Sequence, residues 1–297
     1  MISSLLNIYI AASINTIQAS KIDITKIVQN ANAPVKRQNY VSPIVYANAA
    51  LAIDMNSNEI LFEQDANKRM PIASLTKLMT LLIVLEDNKL NETVLISQKS
   101  ATVEGSTMYL RVGEEISVRN LIYGAIINSA NDAAIALAEH NAGSTELFVK
   151  KMNQKAKNLG LLNTHFANPV GLDDQENYSS ALDIAKLSKE IYKNEFIQKA
   201  AKISEMEVVD KNQYYTHNLK TTNKLLNSYL HIDGLKTGTT ELAGQCLTTI
   251  AENEDGKKII TVVLHSPDRF QETKAIIDWS FRAYNWKKHS ITQKFKI

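Results

Sequence analysis

An α+β fold, an antiparallel sheet flanked by helices with a mostly helical lobe beside it, follows from three observations. Strand patterns sit near both ends of the chain, helical patterns fill its middle, and the strands are separated by short turns that suit antiparallel neighbours. Two strands, 46–54 and 59–63, bracket the turn residues Asn56-Ser57-Asn58. Pro71 then opens an apolar pattern that predicts a helix over 72–85, closed by Asn88. Ser117 is placed to cap a helix over 118–128, and 132–139 continues as helix. Ser144 caps a predicted helix over 146–159, which Gly160 stops, and Ser180 caps another over 182–192. Strands return at 234–237, 245–251 and 258–265, the last two joined through Glu254-Asp255-Gly256. A helix over 270–284 closes the pattern.

The domain organisation read from these patterns is a signal-like segment at 1–20, a linker at 21–42, one folded domain at 43–286 and a tail at 287–297. Residues 2–20 are fairly apolar and end in Gln18-Ala19-Ser20, but the first lysine is Lys21, so the basic start of an export signal is missing. Residues 21–42 mix Lys, Asn, Gln and Pro without periodicity. The longest apolar run, Leu78 to Leu85, is far below the roughly 18–20 residues of a membrane span.

Composition excludes several classes. The 297 residues are 44% hydrophobic and 22% charged, enough for a full core. The 33 basic and 31 acidic residues leave a formal charge of +2 and no basic footprint for nucleic acid. Cys246 is the single cysteine, so no intrachain disulfide can form, and its apolar neighbours mark it as a small buried hydrophobe. His140, His165, His217, His231, His265 and His289 are scattered without zinc spacing, so no metal or other cofactor is expected.

Three short stretches carry the chemistry: Ser74-Leu75-Thr76-Lys77, Ser129-Ala130-Asn131 and Lys236-Thr237-Gly238. Ser74 and Lys77 are three apart at a helix start, on one face. A serine hydroxyl needs a base to become a nucleophile, and lysine is that base only when neutral, which burial and a second cation such as Lys236 both favour. Ser129 can relay a proton and the Asn131 amide can hold a lysine and a carbonyl. Lys236 and Gly238 share a strand face, the one offering a cation and the other room for a close backbone. Each stretch alone reads as ordinary surface, cap or strand end; it is their occurrence together, in this order, that points to acyl transfer through an ester on serine.

With these motifs the chain resembles the low-molecular-mass penicillin-binding proteins of the D-alanyl-D-alanine carboxypeptidase type. The resemblance covers about residues 45–285 and extends to Pro71-Ile72-Ala73 ahead of Ser74, to Asn128 and Asp132-Ala133-Ala134 around the second motif, to Phe166-Ala167-Asn168-Pro169-Val170-Gly171-Leu172, to Thr222-Asn223-Lys224-Leu225-Leu226 and to Asp233-Gly234-Leu235. It implies a β-lactamase/transpeptidase-like fold. It implies Ser74 as the acylated nucleophile, Lys77 as proton acceptor and Ser129 as its assistant. Asn131, Lys236, Thr237, Gly238, Thr239 and Arg269 are implied as substrate-binding residues. The oxyanion hole is expected from the backbone N–H groups of Ser74 and Thr239, and Arg269 is expected to meet the substrate's terminal carboxylate. The partners implied are peptidoglycan stem peptides ending in D-Ala-D-Ala, with β-lactams as inhibitors, and such a substrate requires export to the periplasm or cell surface. The sequence ends soon after the region of resemblance, where family members often continue into a β-rich domain and an amphipathic anchor, so no anchor is expected.

Three other readings share this fold or its motifs. A class A β-lactamase needs a glutamate, usually in E-x-x-L-N after the second motif, and none occurs. A D,D-endopeptidase uses the same machinery and is not separated by sequence. A non-catalytic wall-binding protein has no need of an intact Ser74–Lys77 pair.

Overall fold

The computed structural model describes residues 33–286. The signal-like segment expected at 1–20 and the tail at 287–297 lie outside them. Five strands build the central sheet: β1 Ala49–Asp54, β2 Ile60–Gln64, β3 His231–Thr240, β4 Gly244–Glu252 and β5 Lys258–Ser266. Their order is β3-β4-β5-β1-β2, with every neighbour antiparallel. The two ends of the chain therefore meet at the β5–β1 ladder, where Val263 faces Ala50 and Thr261 faces Ala52.

The sheet is covered on both faces, and the alternation of its side chains shows how. In β1, Ala49, Leu51 and Ile53 join the larger core, while Ala50 and Ala52 join the smaller one. The smaller core is closed by Ile276, Ile277, Trp279 and Ala283 of helix α6, Arg269–Ala283. The larger core lies on the opposite face, beneath helices α1 Lys77–Asp87, α2 Val118–Ile127, α3 Asn131–Ala142, α4 Thr145–Asn158 and α5 Ala181–Ile191. Helix α1 is buried along its first eight residues, because it is packed by α2, α3, α4 and α5 rather than by water. That is why those eight residues are apolar on every side and interrupted only by Lys77 and Thr80.

The serine caps read from the sequence are present: Ser117 accepts from Asn120 N, Ser144 from Leu147 N and Ser180 from Asp183 N. Gly160 stops α4 with φ 66°. The expected linker needs one correction. Val35–Lys36 pairs with Tyr284–Asn285, and Arg37 N donates to Ala283 O, so folded structure begins ahead of residue 43. A two-residue strand whose partner is some 250 residues away has no periodicity to read, so no pattern announces it.

Candidate active site

A short 3₁₀ turn, Ala73–Thr76, carries Ser74 into the first turn of α1, which begins at Lys77. Ala73 sits at φ 48°, a left-handed conformation that costs a non-glycine residue on the order of 1–3 kcal/mol. Ser129, between α2 and α3, is held at φ 59°. These two strained residues flank the same cleft.

The Lys77 ammonium is fully buried and donates to three acceptors: Ser74 Oγ at 2.8 Å, Asn131 Oδ1 at 2.6 Å and Val170 O at 2.8 Å. Burial pulls its pKa down to about 7, against an opposing pull from the Asp132 carboxylate. A substantial fraction of this lysine is therefore neutral near pH 7, in contact with the Ser74 hydroxyl.

Lys236 is a second buried cation. Its Nζ donates to Ser129 Oγ and to Thr237 O, each at 2.8 Å. Burial first, and then the charges of Lys77 and Arg269, hold it well below the ordinary lysine value. The strand that bears it, β3, is an edge strand paired only with β4, so one row of its backbone groups has no strand partner. The strand is fixed from behind: Gly234 at φ 113° lies so close to Ala201 that a Cβ would stand 2.6 Å from it, and Asp233 takes hydrogen bonds from Tyr192 and Lys258 and a salt bridge from Lys202.

Two glycines let the parts close up. A Cβ on Gly238 would fall 2.9 Å from Ser74 N and 3.0 Å from Ile72 O, so only glycine lets β3 lie against the Ser74 turn. A Cβ on Gly171 would fall 1.9 Å from Ala73 O. The loop around Gly171 is tied by Asn168 Oδ1, which accepts from the N–H groups of Val170, Gly171 and Leu172. That tie places Val170 O on Lys77, and Thr80 Oγ1 donates to Pro169 O beside it.

Asn131 completes the link across the cleft. Its Nδ2 donates to Glu104 O, its N to Ser106 O, and its Oδ1 accepts a hydrogen bond from Lys77 Nζ. The neighbouring Asp132 carboxylate is buried, and burial pushes its pKa up although the N–H groups of Leu110, Met108 and Ala133 hydrogen-bond to it. Arg269, at the start of α6, donates from Nη1 to Gly238 O at 2.7 Å and to Thr239 Oγ1. Its Nε is buried without a partner among the described residues.

The cleft enclosed by these groups has a volume of about 260 Å3 and is lined by Ser74, Ser129, Asn131, Thr237, Gly238, Thr239 and Arg269 among others. The structure thus brings together every site residue expected from the sequence; Lys77 and Lys236 lie just under the lining, touching Ser74 and Ser129. Other contributors were given no role from the sequence, although Val170 and Thr222 lie in stretches of the resemblance. Val170 O and Glu104 O are backbone acceptors, which no side-chain pattern encodes. Thr222 stands in the cleft wall, its hydroxyl paired with that of Thr237 across 15 residues. Cys246 is buried and its thiol is pushed up to about 11, as its apolar surroundings implied. Among the described residues, no group of His, Cys, Asp and Glu could hold a metal ion.

Known proteins resemble this chain in sequence and in fold. A family model described as D-alanyl-D-alanine carboxypeptidase matches residues 34–268. D-alanyl-D-alanine carboxypeptidase DacF of Bacillus subtilis is 37% identical over 265 residues, 84% of this chain and 67% of the relative. A D-alanyl-D-alanine endopeptidase of Escherichia coli is 32% identical over 245 residues, 80% of this chain and 78% of the relative. The crystal structure of a Streptomyces DD-transpeptidase superimposes with a TM-score of 0.77 at 31% identity, covering 82% of this chain and 99% of that one. The chain spans about two thirds of the length of the curated carboxypeptidases it matches.

Proposed function

We propose, since this chain belongs to the D-alanyl-D-alanine carboxypeptidase family, that it removes the terminal D-Ala from peptidoglycan stem peptides ending in D-Ala-D-Ala, through an ester on Ser74. The observation that carries this reading is the 2.8 Å contact between Ser74 Oγ and a fully buried Lys77 whose pKa has fallen to about 7.

In this reading the substrate lies extended along the open edge of β3 and Ser74 Oγ attacks the carbonyl carbon of the penultimate D-Ala. Neutral Lys77 takes the hydroxyl proton. Asn131 and Val170 O orient its nitrogen, so little reorganisation remains at the moment of transfer. The backbone N–H groups of Ser74 and Thr239 receive the charge that grows on the carbonyl oxygen. Gly238 supports this role, since it is what lets β3 reach the Ser74 turn. Ser129, hydrogen-bonded to Lys236, relays to the departing amine the proton that Lys77 took from Ser74, and Arg269 meets the substrate's terminal carboxylate beside Thr239. Water then hydrolyses the ester. A β-lactam, whose strained amide mimics the peptide, acylates the same hydroxyl.

The substrate class lies outside the cytoplasm, so this reading includes export to the periplasm or cell surface. Among the described residues, no helix is long and apolar enough to cross a membrane. D,D-endopeptidase action would use the same groups, and the higher identity to the carboxypeptidase relative favours the exopeptidase. The test is product analysis with a stem pentapeptide and a cross-linked peptide dimer. Release of free D-Ala from the pentapeptide supports the reading. Cleavage confined to the dimer supports an endopeptidase, and turnover of neither leaves a binding role.

A further inference from the structure

Beside the catalytic cleft lies a second groove, with a volume of about 390 Å3, whose walls include Tyr109, Arg111, Tyr214 and Tyr215. Tyr109 is 83% exposed and Tyr214 79%. Tyr109 is also held at φ 64°, a left-handed conformation unfavourable for a bulky residue, so backbone strain is spent on presenting its ring to solvent. The Arg111 guanidinium lies 4.5 Å over the Tyr215 ring. Among the described residues it makes no salt bridge and no side-chain hydrogen bond.

The nearby acids are committed elsewhere. Glu114 is buried and accepts from the backbone N of Arg111 and pairs with His217 Nε2. Glu115 pairs with Lys211, and Asp210 accepts from the N–H groups of Asn212 and Tyr215. Arg111 is thus a planar, bidentate donor for a carboxylate that the protein does not itself supply.

Hydrogen bonds fix the segment that joins the groove to the cleft. His217 Nδ1 bonds to Met108 O, and the N–H groups of Met108 and Leu110 bond to the buried Asp132. Asn131 N donates to Ser106 O in the same segment. Gly105 and Ser106 line the cleft, and Tyr109 lines the groove three residues later. Three residues span at most about 10 Å. An extended substrate leaving the cleft covers that distance with the backbone and side chain of the two residues before its D-Ala-D-Ala end.

We propose that this groove is the subsite for a carboxylate-bearing side chain on one of the two residues that precede the D-Ala-D-Ala pair, with Arg111 as its counter-ion and Tyr109 and Tyr214 as its walls. The proposal rests on the carboxypeptidase reading. A preformed site of this kind favours an acidic donor peptide without the cost of ordering a loop.

The test uses two sets of N-acetylated pentapeptides ending in D-Ala-D-Ala, one with glutamate and one with glutamine at either preceding position, assayed for D-Ala release. The wild-type protein is expected to prefer a glutamate peptide. Arg111→Ala is expected to lower kcat/KM on that peptide about tenfold, mainly through KM, with a clearly smaller loss on its glutamine counterpart. Arg111→Lys is expected to restore part of the preference. Equal losses on both peptides, or equal wild-type efficiency on both, overturns the subsite and leaves the carboxypeptidase reading standing. Release from neither peptide overturns that reading, and the subsite with it.

Discussion

Gly238 touches the Ser74 turn so closely that a single methyl group would stand 2.9 Å from Ser74 N. The nearest atoms are Ser74 N, Ile72 O and the Ala73 Cβ, none of which can swing aside as the end of a long side chain could. Gly238→Ala is therefore expected to push β3 away from Ser74 while leaving the sheet core intact. β-Lactam acylation should slow by at least about tenfold, while the circular dichroism spectrum remains that of the wild type. Stopped-flow acylation kinetics check this, and an unchanged rate contradicts the assigned closeness.

The pH dependence follows from Lys77. Only the neutral amine can accept a proton, and burial has lowered its pKa to about 7. Acylation should therefore rise as pH increases through about 7 and level off above it. Lys77→Arg, which stays charged, should lose on the order of 10²–10⁴-fold in rate. The same shift makes a stability prediction. Between about pH 7 and the ordinary lysine value, the unfolded chain binds a proton at this position that the folded chain does not. Lys77 therefore makes the protein more stable as pH rises through that window. Denaturant titrations of wild type and Lys77→Met at pH 7 and pH 9 measure it, and a larger pH slope in the variant would be the wrong sign.

Asp132 pulls against the depression of Lys77 and also holds the N–H groups of Met108 and Leu110. Asp132→Asn removes the charge and half of the acceptors. The acid limb of the acylation profile is expected to move to lower pH, and stability to fall by about 1–3 kcal/mol as buried N–H groups lose their partner. A limb displaced to higher pH would contradict the electrostatic account.

Arg269 donates to Gly238 O and Thr239 Oγ1, at the end of the cleft where a terminal carboxylate is assigned. Arg269→Leu should raise KM for a D-Ala-D-Ala peptide by about tenfold or more. A peptide whose terminal carboxylate is amidated should lose far less from the substitution. Steady-state kinetics on the two peptides decide it, and equal losses would make the arginine a structural support for β3.

Much of this was legible in the sequence, for identifiable reasons. Ser117, Ser144 and Ser180 announce their helices because a capping hydroxyl acts within three residues of itself. Strands β4 and β5 are apolar on both faces, so they stand out from their surroundings. The hairpin of Glu205–Val209 with Thr216–Lys220 does not, since half of its residues are both polar and exposed. Ser74, Lys77, Ser129, Asn131 and Lys236 could be singled out because side-chain chemistry names them. The grip of Val170 O on Lys77 and of Glu104 O on Asn131 could not, because a carbonyl belongs to every residue alike and only the fold selects which one is used.

The central claim is that Ser74 forms an ester. The most direct measurement is the intact mass of the purified protein after incubation with a β-lactam, beside a Ser74→Ala control. The account predicts a stable gain of one drug molecule on the wild type and none on the variant. No gain on the wild type, with the drug left unconsumed, would contradict it.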